Sequence, residues 1–302
     1  MNVALMGSVS SSWFALDALI AGGVEITGVL GVDESQAGRI CDYRSLRARA
    51  EDAGLPFCSF VKVTEPQVEE FLRAHAPDLL WVIGLSQMVP RRLIAIARHG
   101  GVGFHPTMLP EGRGRAPVAW TILRGARAAV NLFFLTDEPD AGDIIVQREV
   151  PVLPDDYSED LIARTNRVLH EVIVELAPRI RAGDLPRQPQ DHSRATYCPK
   201  RTAEDGRIDW SAPTAAIYRL IRAAGRPYHG AFGVYRGRRL IVWRARPARP
   251  AEIPAHAPPG RVLAADVSAG TLVATGDGAI WLTQVELAAG EPASPRVGEQ
   301  LS

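Results

Sequence analysis

The sequence predicts an α/β protein in which a Rossmann-like, doubly wound and mostly parallel sheet is followed by a smaller β-barrel domain. In the first half of the chain, short apolar runs alternate with amphipathic stretches, as they do where strands are joined by crossover helices. In the last third, five short apolar runs are separated by turns such as YRGR, SAG and TGDG, which favours a small barrel over further βα units. Ligands of doubly wound sheets bind beyond the carboxyl ends of the strands, so we expect the chemistry there.

The first half of the chain supplies four predicted buried strands, at residues 3–6, 26–32, 79–83 and 102–105. The stretches after them carry apolar residues at three-to-four spacing and predict helices at 13–20, 46–53, 68–75 and 93–99. Glycine follows three of these stretches, as helix ends prefer.

The pattern changes after a further predicted helix at 118–124. Runs at 130–135 and 143–151 flank a turn-like EPDAG and predict a hairpin. A long amphipathic segment at 159–180 predicts a helix, and the polar, proline-rich segment 184–206 predicts a linker. We therefore expect a catalytic domain over residues 1–183 and a barrel domain over residues 207–302.

The region after the linker predicts a helix at 213–224 and strands at 231–234, 240–244, 261–264, 271–274 and 279–285. An aromatic and basic set in this region would suit stacking of single-stranded RNA, but packing inside or between domains is the preferred interpretation. Its members are Trp210, Tyr218, Arg222, Arg226, Tyr228, Trp243 and Trp281.

Composition and charge exclude several classes of protein. The chain has 302 residues, 46% hydrophobic and 23% charged, which fits two globular domains and excludes disordered, collagenous and coiled-coil proteins. Its 34 basic and 34 acidic residues balance, so no overall field attracts nucleic acid, which is disfavoured as a partner.

The three cysteines lack metal-ligand spacing, so no metal site is expected. Without a basic leader or a membrane-length apolar run, the protein is expected to be cytoplasmic, with no membrane partner.

A rigid segment that contains a histidine stands out in GVGFHPTMLPEGRGRAPVAW. His105 ends a predicted central strand, where ligands of such sheets bind. Pro106 and Pro110 restrict the backbone, and Gly112 and Gly114 permit close approach, so the segment is predicted to form a rigid rim. On position alone, a histidine in a strand is more often a core residue, and that alternative stays open at this point.

A cluster of carboxylates follows in TDEPDAGDIIVQREV. Asp140 lies at the turn of the predicted hairpin, and Asp137, Glu138 and Asp143 crowd the same loop. Neighbouring like charges raise carboxyl pKa values, which suits proton transfer, whereas an aspartate in a turn also commonly bonds its own backbone. The sequence does not decide between these two interpretations.

Together, these segments resemble the formyltransferases that use N10-formyltetrahydrofolate. This family includes methionyl-tRNA formyltransferases, glycinamide ribonucleotide transformylases and sugar N-formyltransferases. HPTMLPEGRGRAPVAW is similar to the family's HPSLLPxYRGxAPxxW stretch, and DAGDII is similar to its D-[TA]-G-x-I loop. GRIDWSAPTAAIYRLIRAAGRPYHGAF, PGRVL and TGDGAIWL resemble the linker and small OB-like barrel of the tRNA and sugar enzymes. Two stretches look closest to those of the sugar N-formyltransferases: RGRAP followed by Trp, and QDHSRATYCPKRTAEDGRIDW. The resemblance implies the formyltransferase fold over nearly the whole chain.

The resemblance also implies an activity, formyl transfer from the cosubstrate N10-formyltetrahydrofolate to the primary amine of a small acceptor. A nucleotide-linked amino sugar is the expected acceptor. Another amine, such as a natural-product intermediate, an amino acid or methionyl-tRNA, is the alternative. His105 would stabilise the oxyanion or pass a proton to the leaving nitrogen, and Asp140 would orient His105 and help to take the proton of the amine. No metal and no covalent enzyme intermediate is implied, and the oligomeric state, a homodimer included, stays open.

The resemblance further implies where the two substrates bind. The folate is expected along the loop after the strand at 79–83 and at the carboxylates of the later loop, that is at Leu85, Ser86, Gln87, Met88, Val89, Asp137, Glu138 and Asp143. The acceptor is expected at Ser8, Ser10, Arg113, Gly114 and Arg115, because guanidinium groups suit phosphate and carboxylate. An equal alternative for Arg113 and Arg115 is that they are solvated loop residues that bind no acceptor. For the serines of MGSVSSSW, which lacks both glycine-rich phosphate-binding spacings, a helix-capping turn is preferred.

One position departs from the family's pattern. The family's catalytic residues are Asn-x-His plus Asp, and the position two before His105 is Gly103. Loss of an oxyanion donor costs about 10²- to 10³-fold in rate, so Gly103 implies a replacement donor, a different geometry or a catalytically lapsed folate- or nucleotide-binding protein. Gln87 and Asn131 are the candidate replacements.

Overall fold

The structure, a computed structural model, describes residues 1–253, 257–288 and 290–302. The chain forms two compact units. The first comprises Met1–Pro117, Arg127–Pro151 and Ile162–Pro199, and the second comprises Val118–Ala126, Val152–Leu161 and Lys200–Ser302. The boundaries predicted at residues 183 and 206 stay a prediction.

The first unit contains a seven-stranded mixed sheet and a separate two-stranded ribbon. Its strands are β1 (Val3–Gly7), β2 (Ile26–Val32), β3 (Phe57–Phe60), β4 (Leu79–Ile83), β5 (Gly101–His105), β6 (Arg113–Gly114), β7 (Ala128–Phe134), β8 (Ile144–Val150) and β9 (Tyr197–Cys198). The α-helices in the described part of the chain are α1 (Ser10–Ala21), α2 (Arg47–Asp52), α3 (Pro66–His75), α4 (Arg91–Ile94), α5 (Pro117–Arg124), α6 (Ser158–Ala182) and α7 (Thr214–Ala224).

The seven-stranded sheet has the doubly wound order β3-β2-β1-β4-β5-β7-β8. The pairs among β1 to β5 are parallel, and β5–β7 and β7–β8 are antiparallel. Chain order reverses between β1 and β4, which creates a crevice at their carboxyl ends. Every residue of β1 is buried, because the sheet is covered on both faces, and this explains the continuous apolar run in the sequence.

In the first unit, one predicted helix is shorter than expected and one strand was not predicted. The helix predicted at 93–99 ends at Ile94, because the backbone N–H groups of Arg98 and His99 donate to the carbonyls of Pro77 and Asp78 instead of continuing the helix. β3 was not predicted. It has four residues at the sheet edge, only one of them buried, so it lacks the apolar run that marks the inner strands.

The second unit contains an antiparallel sheet of order β10-β11-β14-β13-β12, with β15 paired to β14. Its strands are β10 (Ala231–Tyr235), β11 (Arg238–Pro247), β12 (Val262–Asp266), β13 (Gly270–Ala274), β14 (Ala279–Leu287) and β15 (Glu291–Pro292). The five predicted strands are thus present, and they confirm a separate C-terminal domain built on an antiparallel sheet. Ile217 and Ile221, one turn apart on α7, are buried in the core beside Leu240 and Val242.

The three tryptophans of the predicted aromatic and basic set lie inside the second unit. Trp210 is 4% exposed, Trp281 is 7% exposed and Trp243 is 8% exposed. Rings buried to this degree cannot offer a face to a nucleic-acid base, as the packing interpretation expects.

Candidate functional site

The serine-rich turn after β1 is hydrogen-bonded to the chain at the end of β4, beside the crevice between these two strands. Ser8 Oγ donates to the carbonyl of Gly84 at 3.0 Å, and Ser12 Oγ donates to that of Ile83 at 2.6 Å. Ser8 is 1% exposed, and its backbone N–H donates to Ser12 Oγ at 3.0 Å. These bonds hold the turns after β1 and β4 together, so Ser8 has a structural role, although its hydroxyl joins two loops and does not cap α1.

Ser10 is also engaged within the protein. Its hydroxyl donates to Asp42 and accepts a hydrogen bond from Asn166 Nδ2 at 2.7 Å. Burial raises the pKa of the Asp42 carboxyl, and the hydrogen bonds from Ser10 oppose that rise. An acceptor that contacted the Ser10 hydroxyl would have to displace one of these partners.

His105 stands at the carboxyl end of β5, where it is 4% exposed. Its Nε2 donates to the carbonyl of Gly112 at 2.8 Å, so the rim loop that the sequence predicted fixes the imidazole. In the antiparallel pairing of β5 with β7, His105 lies opposite Asn131. The Asn131 amide donates to the carbonyl of His105 at 2.8 Å and to that of Thr107, which holds the backbone on which the imidazole is mounted.

Asp140 reaches the same imidazole from the loop between β7 and β8. Its Oδ2 lies 3.5 Å from His105 Nδ1 and accepts the backbone N–H of Gly114 at 2.8 Å. The Asp140 side chain is 18% exposed, and its Oδ1 has no protein partner in the described part of the chain. The sequence prediction that His105 and Asp140 converge agrees with this geometry, although they are 35 positions apart in the chain.

Two glycines make this convergence possible. Gly114 has a φ of +107°, and a Cβ there would lie 2.5 Å from the carbonyl oxygen of Cys198. A Cβ on Gly142 would lie 1.8 Å from the carbonyl oxygen of Phe134. Side chains at these positions would push the rim loop and the Asp140 loop away from their neighbours.

Arg113 is fully buried, which does not fit the expectation that it faces the acceptor. Its guanidinium donates to Gln190 Oε1 at 2.8 Å, to Glu138 Oε1 at 3.1 Å, to His192 Nδ1 at 3.1 Å and to Tyr197 Oη at 3.3 Å. Because these protein groups surround the guanidinium, we assign Arg113 to the support of the rim. Arg115 is exposed two positions later and is free to meet an acceptor.

The carboxylates expected at the folate are spread over different environments. Glu138 is bonded to Arg113 and Tyr197, and the hydrogen bond from Tyr197, followed by the charge of Arg113, lowers its pKa. Asp137 forms an exposed pair with Arg91 at 3.1 Å, and Asp143 lies 3.8 Å from Arg187. Exposed pairs of this kind contribute little to stability and separate easily.

The loop after β4 is open in part. Met88 is 70% exposed and Ser86 is exposed, whereas Leu85 and Val89 pack against the core beneath the loop. Gln87 accepts the N–H of Val63 at 2.9 Å and donates to the carbonyl of Val61 at 2.9 Å. The loop thus places exposed side chains above a half-buried apolar base at the crevice.

Neither candidate replacement for the absent asparagine reaches the imidazole. Gln87 is bonded to the 61–63 segment, and Asn131 is completely buried beneath the strand end. The space beside Gly103 is filled by apolar groups, since a Cβ there would lie 2.8 Å from Leu135 Cδ2 and 2.8 Å from Phe133 Cζ. The face of β5 that carries His105 is thus apolar next to it.

Restoring the family's asparagine in a Gly103→Asn variant is therefore expected to destabilise the first unit by about 1–3 kcal/mol through overpacking. Chemical denaturation of the variant against a Gly38→Asn control measures this, because a Cβ on Gly38 meets nothing within 4 Å. A Gly103→Asn protein as stable as the control would show that Phe133 and Leu135 yield space freely.

Several contributors to this site were not identified from the sequence. Gln190, His192 and Tyr197 lie in the polar segment that was predicted as a linker, and β9 pairs with β6 in parallel. That segment has no periodicity. Its only signal was the resemblance of QDHSRATYCPK to the family's interdomain segment.

Across residues 1–253, 257–288 and 290–302, no group of three or more His, Cys, Asp and Glu residues is arranged to hold a metal ion. Within those ranges, no helix combines the length and the hydropathy that a membrane span requires.

Comparison with known proteins agrees with this architecture. The family described as "Formyl transferase" matches residues 2–177, and its C-terminal domain matches residues 200–297. The methionyl-tRNA formyltransferase of Chloroflexus aggregans is 35% identical over 299 residues, covering 97% of this chain and 95% of that protein. The enzyme of the same name from Anaeromyxobacter sp. (strain K) is 33% identical over 302 residues, covering 97% and 94%.

Solved structures share the fold at lower identity. HypX from Aquifex aeolicus in complex with tetrahydrofolic acid has a TM-score of 0.68 and 22% identity, covering 95% of this chain and 44% of that one. WlaRD, a sugar 3N-formyl transferase crystallised with dTDP and 5-N-formyl-THF, has a TM-score of 0.66 and 14% identity, covering 95% and 98%. With both family domains matched over most of its length, the chain belongs to the formyl transferase family.

Proposed function

We propose that this protein transfers a formyl group from N10-formyltetrahydrofolate to a primary amine, and that the amine is the α-amino group of methionyl-tRNA. The observation that carries the transfer is the approach of Asp140 to His105 at the carboxyl end of β5. The acceptor is inferred from the curated relatives, which are 33–35% identical along nearly the whole chain and are methionyl-tRNA formyltransferases. This acceptor replaces the nucleotide-linked amino sugar as the first expectation.

The pair is suited to proton transfer at the acceptor. The 3.5 Å between His105 Nδ1 and Asp140 Oδ2 is longer than an ordinary hydrogen bond, so an amine or a water can interact with both groups. Asp140 also has Oδ1 available, and we assign it the proton that the attacking amine must lose. With Nε2 already donating to Gly112, His105 can hold or give a proton only at Nδ1, beside the carboxylate.

The donor would supply the electrophilic formyl carbon, and the chain would supply position and charge. The loop at 84–90 lies at the reversal of strand order and the His105–Asp140 pair lies one strand further along, so a folate on that loop would present its formyl end to the pair. Holding two reactants in register contributes about 7–11 kcal/mol to a bimolecular transfer. This contribution is large enough for transfer to proceed without the asparagine that Gly103 replaces.

A nucleotide-linked amino sugar is the second candidate acceptor, and one observation favours it. Arginines of the second unit are tied to carboxylates, which reduces the positive charge available to a tRNA backbone. The pairs are Arg236–Glu299, Arg238–Glu291, Arg239–Glu204, Arg244–Glu159 and Arg246–Glu252.

The two acceptors are separated by a direct assay. The purified protein is incubated with N10-formyltetrahydrofolate and either methionyl-tRNA or a dTDP-linked amino sugar, and tetrahydrofolate and the formylated product are quantified. We expect turnover with methionyl-tRNA, and a rate that falls steeply as salt is raised, because a tRNA complex depends on phosphate contacts. Uncharged tRNA and N-acetylmethionyl-tRNA are the controls, since both lack the free amine.

The outcomes distinguish the candidates. Turnover of the amino sugar alone would select the second acceptor and reject the first. If no amine releases tetrahydrofolate while the folate still stabilises the protein against heat, the transferase proposal is wrong, and the chain is a folate-binding protein.

A further inference from the structure

The geometry points to Gln190 as a positioning residue for the reaction, one that acts by holding the Asp140 loop against the imidazole of His105. Gln190 lies after α6, in the polar segment that closes the first unit, and is 7% exposed. This inference rests on the proposed function and adds a residue of the segment 188–199 to it.

The amide of Gln190 clamps the Asp140 loop from the outside. Its Nε2 donates to the carbonyl of Asp140 at 2.8 Å and to that of Gly142 at 2.7 Å. One NH₂ group has two protons, so both are used on this loop. The two carbonyls flank the turn that directs the Asp140 carboxylate to Gly114 and His105.

Arg113 fixes the direction of this clamp. Its NH2 group donates to Gln190 Oε1 at 2.8 Å, and a guanidinium can only donate. The oxygen of the Gln190 amide must therefore face Arg113, which leaves the NH₂ facing the two carbonyls. The reversed amide would place donor against donor and acceptor against acceptor, so Arg113 selects the productive orientation.

The Asp140 backbone needs such support. Asp140 has a φ of +55°, in the left-handed region that side-chain-bearing residues adopt at a cost in energy. Without the clamp, relaxation of this residue would rotate its carboxylate relative to Nδ1 of His105. Because the pair is already separated by 3.5 Å, a small rotation suffices to lose it.

The test is a double-mutant cycle on the whole chain, with Asp140→Ala, Gln190→Ala and the two combined. With the amine that the wild-type protein formylates, Gln190→Ala is expected to lower kcat about tenfold and leave the KM for the amine nearly unchanged, because positioning rather than binding is lost. In the Asp140→Ala background, Gln190→Ala is expected to have no further effect on kcat. Independent, multiplicative effects of the two substitutions would overturn the inference.

Two further variants control for folding and for general effects. Gln190→Glu keeps an oxygen for Arg113 but places its other oxygen against the carbonyls of Asp140 and Gly142, so it is expected to lower kcat at least as much as Gln190→Ala. Gln188→Ala is the matched control, since Gln188 is exposed and pairs with Ile144 only through its backbone. A Gln190→Glu variant with wild-type kcat would contradict the role of the N–H donors.

A readout that needs no substrate separates this inference from the proposed function. The backbone N–H of Gly114 is protected by Asp140 Oδ2, so its hydrogen exchange reports whether the carboxylate is in place. Faster exchange of Gly114 is expected in Gln190→Ala and not in Gln188→Ala. Unchanged exchange would overturn the positioning role even if the wild-type protein formylated no amine, whereas faster exchange would uphold it.

Discussion

An Asp140→Ala variant is expected to transfer formyl groups about 10²- to 10⁴-fold more slowly than the wild-type protein, the usual contribution of a positioned acid or base. Asp140 lies beside His105 and has a carboxylate oxygen that no group in the described residues contacts, so its removal leaves the attacking amine without a proton acceptor. The measurement is kcat under saturating folate and amine, together with the Kd for tetrahydrofolate, which is expected to change little.

Asp184→Ala is the matched control for this prediction. Asp184 has a side chain that is 75% exposed and pairs only at the surface with Arg179, at 3.1 Å. Its replacement is expected to leave kcat unchanged. If Asp140→Ala and Asp184→Ala gave the same kcat, proton transfer by Asp140 would be excluded and the proposed mechanism would be rejected.

Replacing the buried Arg113 by methionine is expected to lower the free energy of unfolding of the first unit by about 1–3 kcal/mol. Methionine fills much of the volume, but the buried Gln190 Oε1 loses its hydrogen-bond donor, whereas the exposed His192 and Tyr197 lose theirs where water can replace it. Hydrogen exchange of the buried β1 and β4 amides measures this quantity for the first unit alone.

Arg115→Met is the control for the buried arginine, because Arg115 is exposed and its backbone N–H, which donates to Cys198, is retained. It is expected to change the free energy of unfolding by less than about 0.5 kcal/mol. Equal effects at the two positions would mean that the Arg113 network adds no more to stability than a solvated side chain does.

These predictions separate two kinds of residue at one site. Asp140 has exposed surface and, among the residues that the structure describes, an oxygen without a partner, so the effect of its loss is expected in kcat. Arg113 is enclosed by protein groups, so its loss is expected first in stability and then in kcat through Gln190. Measuring both quantities for each variant tests this assignment, because a substrate-binding arginine would instead raise KM at unchanged stability.

Three residues make contacts in the structure that differ from those expected of them. Arg113 and Ser8 were expected to meet the acceptor, yet both are buried and bonded to neighbouring loops. Asn131 was a candidate for the missing donor, and it supports the backbone of His105 instead. Each of these residues lies in the segment where the site was expected, but its side chain points into the protein and away from the expected ligand.

The sequence by itself determined the two fold classes and most inner strands, and its resemblance to the formyltransferases implied that His105 and Asp140 converge. Burial follows periodicity, and a parallel strand buried on both faces leaves a continuous apolar run that can be read directly. The carboxyl ends of parallel strands meet at one edge, which places His105 where ligands of such sheets bind. Asp140 follows β7, which runs antiparallel to β5, so strand order alone does not bring its carboxylate to that edge.

Only the tertiary structure decided the burial of Arg113, the apolar filling beside Gly103 and the clamp of Gln190 on the Asp140 loop. These features depend on pairs far apart in the chain, and a hydrogen bond between distant polar residues leaves no periodic pattern in either segment. A polar stretch such as 188–199 has the same composition whether it is solvated or packed. This segment is packed because its backbone pairs with β6 and with Ile144, which are distant from it in the sequence.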